Sequence, residues 1–557
     1  MRTRTTRRTL LGAAVAAAGT GLLAACSDSN TDHMDGMDHS GGSPAPKGYI
    51  APYDTEVAAA EKARGAKGPV RTVKLTATPT TLDLGGGTTV RSWAYGDSLP
   101  GKEVRVTAGD TLALTLANHL PAATSLHWHG LALRNDMDGV PGLTQQEIRP
   151  GAEFAHRFAV PHPGTYWFHP HSGVQQDRGL YAPLIVEDPE EPLKYDKEWV
   201  VVLDDWVDGV QGSTPDAVLA ELGRGMGGMD HGGTDMGDMG GGSTGGGHQG
   251  HSMPGAEEPA AAGPAPGRPA PSGSTPAPKS PSRMMRGATS DLLGADAGDV
   301  AHPHYLINGR VPAAPSAYRA EPGDRIRIRI INAGGDTAFR VALGGHRMTV
   351  THTDGFPVRH ATTDALLLGM GERYDVLVTA GDGVFPLTAL AEGKKASALA
   401  LLRTGSGAVP SASVRPKELS GKLLTADRLT AQESVALPAR KPDRTVKIRL
   451  TGGMAKYDWA FDGKPYTPDQ RHPVRAGERV RLDFSNATTM WHPLHLHGHT
   501  FALANRRTGA RKDTAIILPN GRLTVDFDAD NPGLWMIHCH NVYHSEAGMM
   551  TVLGYQR

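Results

Sequence analysis

One segment recurs three times along the chain, and it limits what the chain can fold into. "VTAGDTLALTLAN" (106–118), "AEPGDRIRIRIIN" (320–332) and "VRAGERVRLDFSN" (474–486) each place an asparagine nine residues after a glycine. The pairs are Gly109/Asn118, Gly323/Asn332 and Gly477/Asn486. Between them runs an apolar/polar alternation, seen best where Ile326, Ile328 and Ile330 interleave with Arg325, Arg327 and Arg329. A period of two is that of a strand with one buried face. Copies this far apart predict three β-domains in series rather than a short-period solenoid. Abundant glycine (70) and proline (41) fit turn-rich β-structure better than helix bundles. Sandwich or barrel domains are expected near 69–190, 196–415 and 430–557.

Two stretches fall outside that pattern. Residues 27–68 are polar, Gly/Pro/Ala-rich and read as a flexible tether. Residues from about 211 to 300 read as a low-complexity insertion within the middle domain, rich first in Met, His and Gly and then in Pro and Ala. Ahead of the tether, Arg7 and Arg8 precede a short, alanine-rich apolar run from Leu10 to Ala25, which resembles a twin-arginine export signal. The end of that run, Leu23-Ala24-Ala25-Cys26, resembles a bacterial lipobox and implies cleavage and lipidation at Cys26 (residues 1–26 being the signal). No other apolar run is long enough to span a bilayer. The expectation is an extracytoplasmic protein of the cell envelope that touches the membrane through its lipid anchor only, as a monomer. A formal net charge of −1 offers nucleic acid no basic footprint. Only two cysteines are present, so lipidation of Cys26 leaves Cys539 without a disulfide partner.

The first and third copies share histidine clusters that the middle copy lacks. His127-Trp128-His129 matches His495-Leu496-His497, nine residues after Asn118 and Asn486 respectively. "PGTYWFHPH" matches "PGLWMIHCH", placing His169 and His171 against His538 and His540. The middle copy has "FRVALGGH" and "GERYDVLV" without paired histidines, so it is expected mainly to space the other two. A His₂Cys set with a weak axial methionine points to a blue-copper electron-transfer site, and His492, Cys539, His544 and Met549 supply that set. Eight histidines remain, neutral ligands that favour borderline transition metals over magnesium or calcium. On a strand, His538 and His540 point to one face and Cys539 to the other. One strand can therefore serve two metal sites and wire them through a peptide unit or two.

In combination these four motifs resemble those of the multicopper oxidases, over roughly residues 69–557. The resemblance is to the three-domain laccase and cuprous-oxidase forms, and in particular to actinobacterial lipoprotein-type members. It implies three cupredoxin-like Greek-key β-barrel or sandwich domains in series, an all-β fold. It implies four copper ions. A type 1 copper falls to His492, Cys539, His544 and Met549, and a type 2 copper to His127 and His495. A type 3 pair falls to His129, His169, His171, His497, His538 and His540. The reaction implied is four one-electron oxidations coupled to reduction of O₂ to water. Asp138 stands where the family carries an acid that handles protons near the cluster. Relatives also carry a proton-relay acid directly after the last type 1 histidine, where this chain has Ser545. Glu546, one residue on, is the candidate to replace it.

The reductant is read from composition. "TDHMDGMDHS" in the tether, and Met226, Met229, His231, Met236, Met239, His248, His251 and Met253 in the insertion, offer soft thioethers that prefer Cu(I). Met490, two residues before His492, is a candidate entry ligand. The favoured substrate is Cu(I), in a copper-tolerance role. The alternatives are a laccase-like oxidase of phenols and aromatic amines, and a copper-sequestering surface protein with little turnover.

Overall fold

In each repeat the glycine turns the chain and the asparagine locks the far end of the strand. Gly109, Gly323 and Gly477 have φ of +93°, +91° and +85°, a region other residues rarely enter. The strands that follow, Thr111–Asn118, Arg325–Asn332 and Arg479–Asn486, each run parallel to the strand that opens their domain. These partners are Val70–Gly85, Lys197–Trp206 and Arg444–Thr451. Each closing asparagine makes the same three bonds. Asn118 Nδ2 donates to the carbonyls of Ala122 and Ile148, and its Oδ1 accepts from Leu120 N. Asn332 does the same with Thr337, Leu368 and Gly334, and Asn486 with Met490, Leu518 and Thr488. The side chain satisfies backbone groups that a buried turn would otherwise strand. In the first and third domains that turn leads into the histidines.

The computed structural model describes residues 47–225, 280–505 and 508–557. Each repeat strand belongs to a two-sheet sandwich. The first has four-stranded sheets, the middle two six-stranded sheets, and the third a six- and a five-stranded sheet. Leu112, Leu114 and Leu116 pack with Trp128, Phe168 and Leu184 between the first pair; Ile326, Ile328 and Ile330 pack with Phe339, Val341 and Leu387 between the second. The expected all-β fold holds: among the described residues the α-helices are short, Thr55–Arg64, Pro215–Gly223 and Val542–Ala547.

Three expectations need correcting. The strand Arg325–Asn332 is buried on both faces, because Arg327 and Arg329 face the first domain. Buried guanidiniums are costly unless paired. Asp375 accepts from Arg327 at 2.6 Å and from Arg329 at 3.0 Å, and Thr165 of the first domain joins the network. Against the cost of burial, the two guanidiniums hold the Asp375 carboxyl below the usual carboxylate range. The expected tether is partly built: Tyr49 bridges to Gln556, and Thr55–Arg64 is a helix whose Arg64 bonds Asn531. The expected insertion is ordered at both ends, with a helix at Pro215–Gly223 and paired strands Thr289–Ser290 and Ala295–Asp296. The Met/His tract from Met226 to Met253, "TDHMDGMDHS" and Cys26 lie outside the described residues.

Candidate metal centre

Matched registers place the histidines. In the first sandwich His127–His129 pairs antiparallel with Gly164–His169, setting His127 opposite His169. In the third, His492–Leu496 pairs with Leu534–Cys539, setting His495 opposite His538 and Leu494 opposite Cys539. The two sandwiches meet on these strands, and their imidazoles interleave. His127 stacks on His497 and His129 on His495, each at 3.8 Å between centroids, while His171 lies 4.9 Å from both His497 and His538.

The donor atoms are poised for metal. Nε2 of His127, His169, His171, His495, His497 and His538 is buried without a hydrogen-bond partner. His540 Nε2 lies 3.1 Å from His129 Nδ1. A buried polar atom left unpaired costs free energy, and six converging in one place demand an explanation. Metal coordination supplies it, since ligating imidazoles must be neutral. Burial first, and neighbouring imidazoles second, hold His169, His171, His497, His538 and His540 well below the usual histidine range. Burial also pushes His129 and His495 down, against the pull of Asp513.

Two carboxylates orient the cluster. Asp138 follows the short turn Asn135–Met137; its carbonyl and Oδ1 lie 2.9 and 3.2 Å from His127 Nδ1, and its Oδ2 lies 3.0 Å from His497 Nδ1. It is thus where the sequence reading expects an acid. Asp513 does the equivalent work on the other side. Its Oδ1 lies 3.1 Å from His129 Nε2, and its carbonyl 2.9 Å from His495 Nδ1. Asp513 escapes sequence reasoning because no motif surrounds it. Asn135 also escapes it: its side chain exchanges two bonds with the Leu534 backbone, at 2.6 and 2.9 Å, and so fastens the start of the HCH strand to the first domain.

A second constellation sits one residue away along the chain. Cys539 Sγ lies 3.5 Å from His492 Nδ1 and 3.6 Å from His544 Nδ1, and the two nitrogens are 3.1 Å apart. A point equidistant from these atoms lies about 2.0 Å from each, the length of an imidazole–metal bond. Cys539 is a free, buried thiol, and Met549 is fully buried, with its carbonyl accepting from Cys539 N at 3.1 Å. Asn541 caps the short helix Val542–Ala547 that carries His544. The outer nitrogens are engaged: Thr488 Oγ1 lies 2.9 Å from His492 Nε2, and Asp299 Oδ2 lies 2.8 Å from His544 Nε2. Asp299 belongs to the ordered far end of the expected insertion. Met490 is buried in the core with its backbone bridged to Asp296, so it is no exposed entry ligand.

Ser545 and Glu546 border a cavity of about 20 Å³ lined by His169, His171, His538 and His540. Burial, then the charge of Asp216, pushes the Glu546 carboxyl up to about 7.

An interleaved histidine cluster joined through one strand to a His₂Cys site defines a class of copper protein, and comparison with known proteins agrees. Multicopper oxidase family profiles match residues 76–191, 284–407 and 439–556. The chain is 46% identical to the multicopper oxidase MmcO of Mycobacterium tuberculosis, over 99% of this chain and 97% of that one. It is 27% identical to copper resistance protein A of Escherichia coli, over 81% of this chain and 87% of that one. Among solved structures, the laccase from Botrytis aclada superposes with a TM-score of 0.66 at 22% identity, over 92% of each chain, and shares the cupredoxin-type fold. The chain belongs to the multicopper oxidase family. It is a copper-dependent oxidoreductase that uses O₂ and a reducing substrate.

Proposed function

We propose that the protein holds four coppers and oxidises Cu(I) in a copper-tolerance role outside the cytoplasm, as an envelope lipoprotein anchored at Cys26. The type 1 site is His492, Cys539, His544 and Met549. His127 and His495 form the type 2 site, and His129, His169, His171, His497, His538 and His540 the type 3 pair. The observation that carries the reading is the shared strand. Cys539 completes the His₂Cys triangle while its neighbours His538 and His540 belong to the cluster. Bound copper supplies the electron chemistry, oxidising the reductant at the Cys539 site and reducing O₂ to water at the cluster. The chain's part is to fix both sites, keep the imidazoles neutral and bring protons. Asp138 touches two cluster histidines and, unlike Asp513, is not paired with a guanidinium. Glu546 borders a cavity with room for one water beside four cluster histidines, a place from which a carboxyl can pass protons inward.

Three observations favour Cu(I). Both type 1 imidazoles have their outer nitrogens capped and buried, so a phenol cannot dock on an exposed ring edge. Residues flanking the sequence that holds the Met/His tract lie near the type 1 wall. Gly225 abuts Ala455 and Lys456, next to Tyr457, and Met284 bridges to Val300, next to Asp299. The thioethers in the intervening sequence prefer cuprous ions. A relative is named for copper resistance.

The laccase-like reading has one observation of its own. A cavity of about 650 Å³, lined by Leu292, Leu367, Ile516 and Leu518 together with Asp427, Arg428 and Arg522, lies along Thr514–Ile517, the strand that pairs with His492. Oxygen uptake with Cu(I), Fe(II) and a substituted phenol, compared between the full chain and a deletion of 226–253, decides between them. Selective loss of cuprous turnover is expected. Equal or no change across the substrates removes the capture role, and a higher kcat/KM for the phenol favours the laccase reading.

A further inference from the structure

The middle domain contributes no histidine to the cluster, yet it touches the cluster through one turn, residues 369–373. Gly371 lies against two ligand rings: a Cβ there would sit 2.9 Å from His129 Cε1 and 3.0 Å from His540 Cδ2. Two residues on, the fully buried Arg373 reaches the third domain. Its Nη1 and Nη2 each donate at 2.7 Å to a separate oxygen of Asp513. Its Nε donates to Thr165 O of the first domain at 3.1 Å, and Nη1 also to Gly371 O at 3.0 Å. The guanidinium is therefore fixed by all three domains at once.

The pair explains a glycine in the first histidine motif. In His127-Trp128-His129-Gly130, a Cβ on Gly130 would press into Arg373 Nη2 and lie 2.6 Å from Asp513 Oδ2. The space beside the ligand strand is reserved for this ion pair.

What Asp513 does depends on its orientation. Its Oδ1 engages His129 Nε2, and Thr514 Oγ1 lies 3.2 Å from the same nitrogen. Six of the eight leave Nε2 without a partner, whereas His129 spends Nε2 on Asp513 and Thr514 and turns Nδ1 inward, 3.1 Å from His540 Nε2. The bond made by one ring nitrogen decides which nitrogen is left for metal. A carboxylate free to rotate would not make that choice, whereas one held by a two-pronged guanidinium does. The neighbouring cation cannot replace Arg373, because Lys512 Nζ is held by Asp354 and Glu372 at 3.0 Å each.

We propose that Arg373 is a positioning residue of the metal centre: gripping both oxygens of Asp513 from the middle domain, it fixes the carboxylate on His129 Nε2 so that Nδ1 faces the metal. This rests on the reading of the eight-histidine cluster as a copper site. The test uses the full copper-loaded chain and three variants, Arg373→Met, Arg373→Lys and Asp513→Asn, with the double variant Arg373→Met/Asp513→Asn. The readouts are copper retained per chain against a chelator, the electron paramagnetic resonance of the cluster copper, and the blue absorption of the Cys539 site as an internal measure of folding.

Arg373→Met is expected to weaken retention of cluster copper about 10- to 100-fold while the blue band persists. Arg373→Lys keeps the charge and loses the fork, so it settles the matter if Arg373→Met does not fold. An altered resonance with reduced retention supports the proposal, and wild-type retention and resonance in Arg373→Lys overturn it. The double variant should lose no more than Asp513→Asn alone; additive losses overturn the route through Asp513. If the wild-type chain binds copper only at the blue site, the four-copper reading fails, and this proposal with it.

Discussion

The first and third sandwiches carry the same histidine frame, and they differ at three equivalent places. Counting from matched histidines, His492, Cys539 and His544 of the third correspond to Thr124, Pro170 and Gln175 of the first. In the third these positions form the His₂Cys triangle. In the first, Thr124 Oγ1 donates to Gln175 Oε1 at 2.7 Å and Pro170 stands where the thiol would be. One sandwich has a His₂Cys triangle and its partner has a hydrogen bond filling the same space. The frame for the cluster and the triangle are thus separable: the strands and registers are common property, and three side chains decide whether the His₂Cys triangle is added.

That comparison is broken most severely at the cysteine. Cys539→Ser should abolish the blue absorption and the oxidase turnover while leaving the cluster copper in place, as it would make the third sandwich resemble the first. The converse change, His169→Ala, should stop O₂ reduction and spare the blue band. Loss of the blue site alone in His169→Ala contradicts the division of labour. Metal analysis, visible absorption and oxygen uptake on the same samples read both.

A smaller effect is expected at the two orienting acids. Asp138 and Asp513 each hold one histidine from either sandwich, but only Asp513 is gripped by a guanidinium. Asp138, whose carboxylate faces imidazoles only, is the one proposed to pass protons. Asp138→Asn should lower turnover about 100-fold at full copper loading, the scale of a lost general acid. An unchanged rate would reduce Asp138 to an orienting role.

The smallest effect lies in what sits between the paired histidines, Trp128 in the first sandwich and Leu496 in the third. Trp128 Nε1 donates to His156 Nδ1 at 3.2 Å, and burial pushes His156 down to about 3. The unfolded chain takes up a proton near the ordinary value of 6.5, which the folded chain refuses. Stability should therefore be unaffected above pH 6.5 and fall as pH drops toward 3, by about 1.4 kcal/mol per pH unit from this group. His156→Phe should flatten that slope in denaturant titrations of the metal-free protein. An unchanged slope would remove the Trp128–His156 contact as an acid-labile point.

Much of this was legible in the chain. The glycine–asparagine repeat specified three strands because a left-handed turn and a side-chain clamp are local requirements. The histidine pairs were legible because a strand's period of two sends alternate residues to one face, which also separated Cys539 from its neighbours. Asp138 lay near enough to His129 to be suspected. Asp513, Arg373, Asn135 and Asp299 were not legible. Each works on a residue far along the chain, and a lone Asp, Arg or Asn has no periodicity to betray it. The same reason hid the burial of Arg327 and Arg329. Alternation shows that two faces differ, not that the polar one is wet.

The sequence by itself determined that three β-domains exist, that two carry the histidine pairs, and that one strand joins the cluster to the His₂Cys triangle. These follow from backbone periodicity and ligand chemistry, which act over a few residues. The tertiary structure alone decided how the two half-clusters interleave and which nitrogen of His129 turns inward. It also brought the middle domain to both constellations, through Arg373 on Asp513 and Asp299 on His544. Those outcomes depend on charges and imidazoles brought together from separate domains, where burial makes an unpaired group costly and so dictates its partner.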